Sequence, residues 1–279
     1  MKFGWIPDIP DVRDLHIKSD SVKQFKLEEK ALPEKYCIPF LPTVKDQGSL
    51  SSCTAHAAVC MMGTFVKAAN LSGYRDLSRL FIYKNSRRFS GLTGDSGSWL
   101  RDTMKSLAIF GSLPEEEMPY EADKFDNEPT AWQYQMASNF QALTYYRLDP
   151  VGKSKADILN SIKLNIAANR ACMFGFTVYD NIEESNRTGL IPYPRNSSRV
   201  TGGHAVTCIG YDDKLKIGDF VGSFVIRNSW GESWGDEGDG YLPYAYLLNG
   251  LAIDWWTVNS AEWVDLDIFS ISGKSWIDS

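Results

Sequence analysis

Residues 53–69 read CTAHAAVCMMGTFVKAA, apolar nearly all the way round with a single charge. A run of that kind predicts a helix buried at the centre of a protein. Ser51 or Ser52 is placed to cap its start. Helical spacing returns over residues 77–88 (LSRLFIYKNSRR) and 96–111 (SGSWLRDTMKSLAIFG). In the second of these, Trp99, Leu100, Met104 and Leu107 share one stripe and Gly111 is the stop signal. A further helix is predicted from Ser154 in SKADILNSIKLNIAANR, with Asp157 three residues on in a near capping box. After Arg170 the texture changes. ACMFGFTV, HAVTCIGYD, GSFVIRNSW and GYLPY are short, β-branched and aromatic, with Gly, Asn and Asp between them, and predict a mostly antiparallel sheet. Helices first and strands second point to an α+β protein of two lobes with a cleft between them. Residues 1–42 are rich in Pro, Asp and Lys with weak periodicity, and read as an arm that wraps the body. The body is then 43–260, with a helical lobe over about 50–150 and a β lobe over about 151–260, followed by a tail at 261–279.

The chain has 279 residues, 43% of them hydrophobic, enough for a large core. Its formal net charge of -6 and its lack of a Lys/Arg run argue against nucleic acid or an anionic membrane as partner. No apolar stretch is long enough to span a bilayer. The N-terminus, MKFGWIPDIPDVRD, has no continuous apolar core of a secretory signal, so a cytoplasmic monomer is expected. The five cysteines (Cys37, Cys53, Cys60, Cys172, Cys208) are odd in number and scattered. They suggest neither a disulfide framework nor a zinc site, and no metal or cofactor is expected. Cys60, Cys172 and Cys208 lie in apolar segments and read as core filler. DEGDG (236–240) does not match a calcium loop, and GESWGDEGDG lacks the Lys-Ser/Thr of a phosphate loop. NLS (70–72), NRT (186–188) and NSS (196–198) fit the glycosylation pattern only as chance matches if the chain is not secreted.

Composition therefore leaves the chemistry to a few residues. QGSLSSCTAHAA (47–58) sets Cys53 at a helix start, where the helix N-terminus favours a thiolate. A cysteine nucleophile also needs a base and donors for the oxyanion. The chain has three histidines. His16 lies in the polar arm and reads as solvated. His56 lies three residues after Cys53, between alanines, with no nearby Asn or Asp to set its tautomer. His204 opens an apolar strand in GGHAVTCIGYDD (202–213) behind two glycines that allow close approach. In FVIRNSWGESWGDEGDGYLPY (224–244), Asn228 ends a strand, and Trp230 and Trp234 sit in a Gly-rich turn.

In this order and spacing, QG…SC, GHAV and NSWG…WG…GY resemble the papain-like cysteine peptidases over most of residues 42–246. GDSGSWLRDTMKSLAIFGSLPEEEMPY (94–120) looks like that family's substrate-groove segment. The resemblance implies a papain-like two-lobed α+β fold: a helical lobe with a long central helix, a β-sheet or barrel lobe, and the cleft between. It implies Cys53 as nucleophile, His204 as its base and Asn228 as the orienter of the imidazole. It places Gln47 and the Cys53 N–H at the oxyanion, and Trp230 as a shield over the Asn228–His204 contact. Gly97, Ser98 and Trp99 would line the substrate backbone. His56 would belong to the packing of the central helix. Gly175 and Ala205 would line a roomy pocket for a hydrophobic or aromatic substrate side chain, the second residue on the amino side of the scissile bond.

Two departures stand out. The family's Trp after the nucleophile is Thr54 here. The positions of a disulfide common in its extracellular members are Leu50 and Asp95. The implied activity is endopeptidase hydrolysis of a peptide or protein through an acyl-enzyme. The alternatives are transfer of the acyl group to an amine at the same site, or a non-catalytic binding module. The arm, stiffened by Pro7 and Pro10 and carrying apolar Trp5 and Ile6, is expected to pack near the cleft as a lid or a strap.

Overall fold

The computed structural model describes residues 2–11, 13–15, 32–71 and 73–262. Among these the elements in chain order are β1 (Trp5–Ile6), β2 (Lys35–Cys37), α1 (Cys53–Ala68), α2 (Arg79–Ser90), β3 (Ser98–Trp99), α3 (Leu100–Ile109), α4 (Ala131–Ala137), β4 (Ala142–Arg147), α5 (Lys155–Ala167), β5 (Cys172–Tyr179), β6 (Val200–Ile217), β7 (Phe220–Arg227), β8 (Asp239–Pro243), α6 (Ala245–Leu248) and β9 (Ala252–Ala261). His16, and the tail from residue 263 onward, lie outside the described residues.

Helix α1 is buried at every position from Cys53 to Thr64, as its all-round apolar sequence requires. Its small side chains let β6 come close, and Thr207 Oγ1 donates to the Ala57 carbonyl at 2.9 Å. On its other sides α1 meets α2 and α3. Ser52 stands at the N-cap but makes no capping bond. Its hydroxyl is committed to Tyr120 Oη at 2.6 Å, which leaves the first N–H groups of α1 free to face the thiol. Helix α2 is capped by Ser78, which accepts from Phe81 N at 3.2 Å, and stops at Gly91 with φ 65°. Ser154 caps α5 by accepting from Asp157 N at 3.1 Å while donating to its carboxylate at 2.6 Å.

The helix expected over 96–111 is shorter than its periodicity. Gly97 has φ 77°, outside helical space, and residues 98–99 are extended as β3; the helix starts at Leu100. Leu100, Met104 and Leu107 are fully buried as the stripe predicts, while Trp99 is only half-buried at the helix cap.

The second lobe is a seven-stranded sheet in the order β4-β9-β5-β6-β7-β8, with β2 paired on β6 and every pairing antiparallel. It stays open, so the barrel form of the expectation is corrected to a sheet. Its core is aromatic: Phe174 stacks on Trp255 with centroids 3.8 Å apart, and Phe224 lies 5.0 Å from the same indole. Cys172 and Cys208 face each other across β5 and β6, and all five cysteines are free. Strands β5 and β6 carry the sheet to the edge of α1, and that seam is where the chemistry-bearing residues meet.

Candidate active site

Cys53 is the first residue of α1 and is wholly buried. Its Sγ accepts the Ala205 N–H at 3.4 Å, and the backbone N–H dipoles of Gly4, Thr54 and Cys53 itself also favour its negative charge. These donors favour a thiolate. Burial outweighs them and pushes the thiol up to about 11.

His204 lies inside β6, four residues after the strand begins, and is fully buried. Its Nε2 is 2.8 Å from Asn228 Oδ1. Asn228 Oδ1 also accepts the Ser229 N–H at 2.8 Å, which identifies it as the amide oxygen. Nε2 therefore carries the proton and Nδ1 the lone pair, and Nδ1 has no hydrogen-bond partner. Trp230 stacks on the imidazole at 4.6 Å with 21° between planes, and Phe176 meets it edge-on at 5.9 Å. Burial lowers the His204 pKa to about 4, against the Asn228 bond, which raises it.

Gln47 is fixed by Ser229, a member of the NSWG motif to which no role was assigned above. Its Oε1 accepts Ser229 Oγ at 2.6 Å, so Nε2 is the donor end. Nε2 points to Leu50 O at 2.8 Å and Lys2 O at 3.2 Å. Ser229 thus ties Asn228 and Gln47 to one turn. A second unforeseen residue is Tyr120, which holds Ser52 Oγ and donates to Gln47 O at 2.9 Å.

The arm occupies the cleft. β1 pairs in parallel with β3, Trp5 opposite Ser98 and Ile6 opposite Trp99, and Ser98 N donates to Gly4 O at 2.8 Å. The fit admits no Cβ on either side. One on Gly4 would lie 1.8 Å from the Ser51 carbonyl oxygen, and one on Gly97 2.1 Å from the Gly4 carbonyl oxygen. Phe3 meets His204 edge-on at 6.1 Å and Trp230 at 6.2 Å. The Trp5 indole lies flat on Gly175, where an added Cβ would come within 1.9 Å of the ring. So Cys53, His204, Asn228, Gln47, Trp230, Ala205, Gly97, Ser98, Trp99 and Gly175 are gathered at one cleft, and the arm touches most of them.

Residues 34–250 match the family model described as papain family cysteine protease. The chain is a papain-family cysteine protease. It is 30% identical to an uncharacterized peptidase C1-like protein of Acanthamoeba polyphaga mimivirus, over 92% of this chain and 86% of that one. A cathepsin B-like protein of Giardia intestinalis is 28% identical over 77% of this chain and 68% of its own. Among solved structures it resembles xylellain, a cysteine protease from Xylella fastidiosa, with a TM-score of 0.78 and 34% identity, covering 92% of this chain and 96% of that one.

The departures from the family pattern have local solutions in this papain-family chain. Thr54, in place of the Trp, hydrogen-bonds Ser98 Oγ at 2.7 Å and so links α1 to the groove strand. At the positions of the absent disulfide, Asp95 accepts Ser51 N at 2.8 Å and Tyr83 Oη at 2.7 Å, which holds the same two segments together without a covalent bond. In DEGDG, Asp239 is gripped by Arg227 at 2.8 and 2.9 Å and Asp236 accepts Tyr241 Oη at 2.6 Å, so two of its three acids brace the β7–β8 turn.

Proposed function

We propose that this papain-family enzyme is an endopeptidase that hydrolyses peptide bonds through a Cys53–His204 pair and an acyl-enzyme, and that arm residues 2–8 hold it latent. One observation carries the reading: a peptide already lies across the buried thiol, with its Lys2 carbonyl 3.2 Å from the Gln47 amide N–H. The arm runs opposite to a substrate, because Trp5, in the pocket for a residue on the amino side of the scissile bond, follows Lys2 in the chain; it covers the Gln47 donor that a substrate's scissile carbonyl would meet.

With the arm seated, burial keeps both partners neutral, thiol and imidazole. When the arm leaves, water reaches the pair and the proton passes from Sγ to Nδ1. The thiolate attacks the carbonyl carbon, and the oxyanion is met by Gln47 Nε2 and the Cys53 N–H. Imidazolium Nδ1–H then protonates the leaving amine, and the same nitrogen deprotonates the water that releases the acyl group. Asn228 keeps the ring in this tautomer throughout. The test is mass spectrometry of peptides incubated with the full chain and with its Cys53→Ala variant, with and without added amines. Hydrolytic fragments that require Cys53 support the reading. Amide products that dominate when amines are present favour acyl transfer, and no Cys53-dependent product favours a binding module.

A further inference from the structure

We propose that Tyr120 is a positioning residue of the catalytic site, whose hydroxyl sets the spacing of the two oxyanion donors by joining the Gln47 backbone to Ser52. The proposal rests on the peptidase reading and adds to it the group that keeps the Gln47 amide in register with the nucleophile.

The two donors come from different parts of the chain. Gln47 Nε2 stands on the turn that precedes α1. The other donor, the Cys53 N–H, belongs to the peptide bond that leaves Ser52. Their spacing therefore depends on how the Gln47 turn is held against Ser52. Tyr120 Oη lies between the two, 2.9 Å from the Gln47 carbonyl oxygen and 2.6 Å from Ser52 Oγ. A carbonyl can only accept, so Tyr120 gives its one proton to Gln47 and accepts the proton of Ser52. Gln47 and Ser52 are buried, and water does not stand in for either bond. Ser52 is gripped from its other side by His56, whose Nδ1 donates to the Ser52 carbonyl oxygen at 3.0 Å. That oxygen shares a peptide plane with the Cys53 N–H, so the direction of this donor is fixed as well. Ser229 and Tyr120 then divide the work on Gln47. Ser229 holds the amide oxygen at 2.6 Å, and Tyr120 holds the backbone from which the side chain projects.

The ring is supported independently of its hydroxyl. The Arg79 guanidinium lies over its face, 4.2 Å from the centroid, and His56 meets it edge-on at 5.0 Å. Arg79 is itself anchored on Glu115 at 2.6 Å. A phenylalanine ring would be kept in the same place by these contacts, so the hydroxyl can be removed alone. Burial raises the Tyr120 pKa to about 12, and the hydroxyl stays a donor across the neutral range.

The test is Tyr120→Phe in the full chain carrying Gly4→Val, whose arm cannot seat against Ser51. Release of nitrophenolate from a blocked amino-acid nitrophenyl ester reads a step that develops an oxyanion. Alkylation of Cys53 by iodoacetamide reads the thiolate with no oxyanion formed. Tyr120→Phe is expected to lower kcat on the ester about tenfold with KM unchanged, and to leave alkylation within about twofold of the parent. In a Gln47→Ala chain the same substitution should cost less than about threefold, because a donor that is gone cannot be misplaced. An unchanged kcat in Tyr120→Phe, an equal fall in alkylation, or a loss as large in the Gln47→Ala chain would overturn the proposal. If Tyr120→Phe does not fold, Ser52→Ala cuts the other end of the same link and decides by the same pattern. A parent chain that is alkylated but releases no nitrophenolate fails at the peptidase reading and takes the proposal with it. A parent that turns over no faster than Tyr120→Phe overturns the proposal alone.

Discussion

His56 and His204 are both buried close to Cys53, and burial lowers the proton affinity of each, to about 3 and about 4. They differ in where their lone pair goes. His56 Nδ1 meets the Ser52 carbonyl at 3.0 Å, which places its proton there, and its Nε2 lone pair faces Arg79 Nη1 at 3.3 Å. Arg79 in turn is held by Glu115 at 2.6 Å. Every polar atom of that ring is spent on structure. His204 has its proton fixed by Asn228 and a lone pair with no partner. What favours His204 over His56 as the proposed base is an uncommitted nitrogen, and not burial, perturbed proton affinity or nearness in sequence to the thiol.

Substitution should separate the two rings. His204→Ala, like Cys53→Ala, is expected to reduce turnover by about 10³-fold or more in a chain that still folds. His56→Ala should leave turnover within about tenfold and instead cost roughly 1–3 kcal/mol of stability, because it orphans the Ser52 carbonyl and the Arg79 guanidinium. Thermal unfolding and steady-state kinetics on the same samples check both. Gln47→Ala comes next, with kcat reduced by about 10²- to 10³-fold and KM little changed, since its N–H acts on charge that develops only in the transition state. An unchanged kcat would mean that the Lys2 contact does not report the position of a substrate carbonyl.

The arm offers smaller, opposite effects. Gly4→Val cannot fit against Ser51, so the cleft should open and Cys53 should react faster with a small alkylating agent, about tenfold for each 1.4 kcal/mol of docking lost. The pH dependence follows from Asp8. It is buried on the arm against Asp254, with Arg101 and Arg147 beside it, and burial first and Asp254 second raise it above its ordinary value of 3.8. A group whose docked pKa is raised favours docking below its free value, and that contribution is lost as pH rises through the docked value. The thiol–imidazole pair adds little between these limits, because the neutral pair and the ion pair hold the same single proton. Shielding of Cys53 should therefore weaken as pH rises out of the acid range. Asp8→Asn, which resembles the protonated side chain, should flatten that trend in the alkylation rate. A slope of the other sign would exclude Asp8 as its source.

Much of this was legible in the chain because it is local. The all-round apolar run gave α1 nearly to the residue, and the Ser78 and Ser154 caps and Gly91 bound their helices through contacts three or four residues apart. Residues Cys53, His204, Asn228 and Gln47 could be named because their motifs are short and ordered. What escaped is set by distant partners. Residues 98–99 carry helical periodicity, yet they are extended and pair with an arm strand more than 90 positions away. β4 and β9 pair with each other across the whole β lobe, and neither alternates cleanly enough to stand out alone. Ser229 acts on Gln47 across 182 positions, and the Asp254 N–H is held by Asp149, 105 positions earlier. The arm was expected near the cleft from its prolines and apolar anchors. Its register required the facing glycines at 4 and 97, whose role shows only when the two segments meet.

The pairing of Cys53 with His204 is tested most directly by the pH profile of Cys53 alkylation in the Gly4→Val chain, measured beside His204→Ala and His56→Ala in the same background. An imidazolium partner keeps the thiolate populated well below the free thiol value of about 8.5, and so produces a reactive plateau on the acid side. That plateau should persist in His56→Ala and vanish in His204→Ala, leaving a single rise near the free value. A plateau that survives in His204→Ala and disappears in a folded His56→Ala would contradict the assignment of His204 as the base.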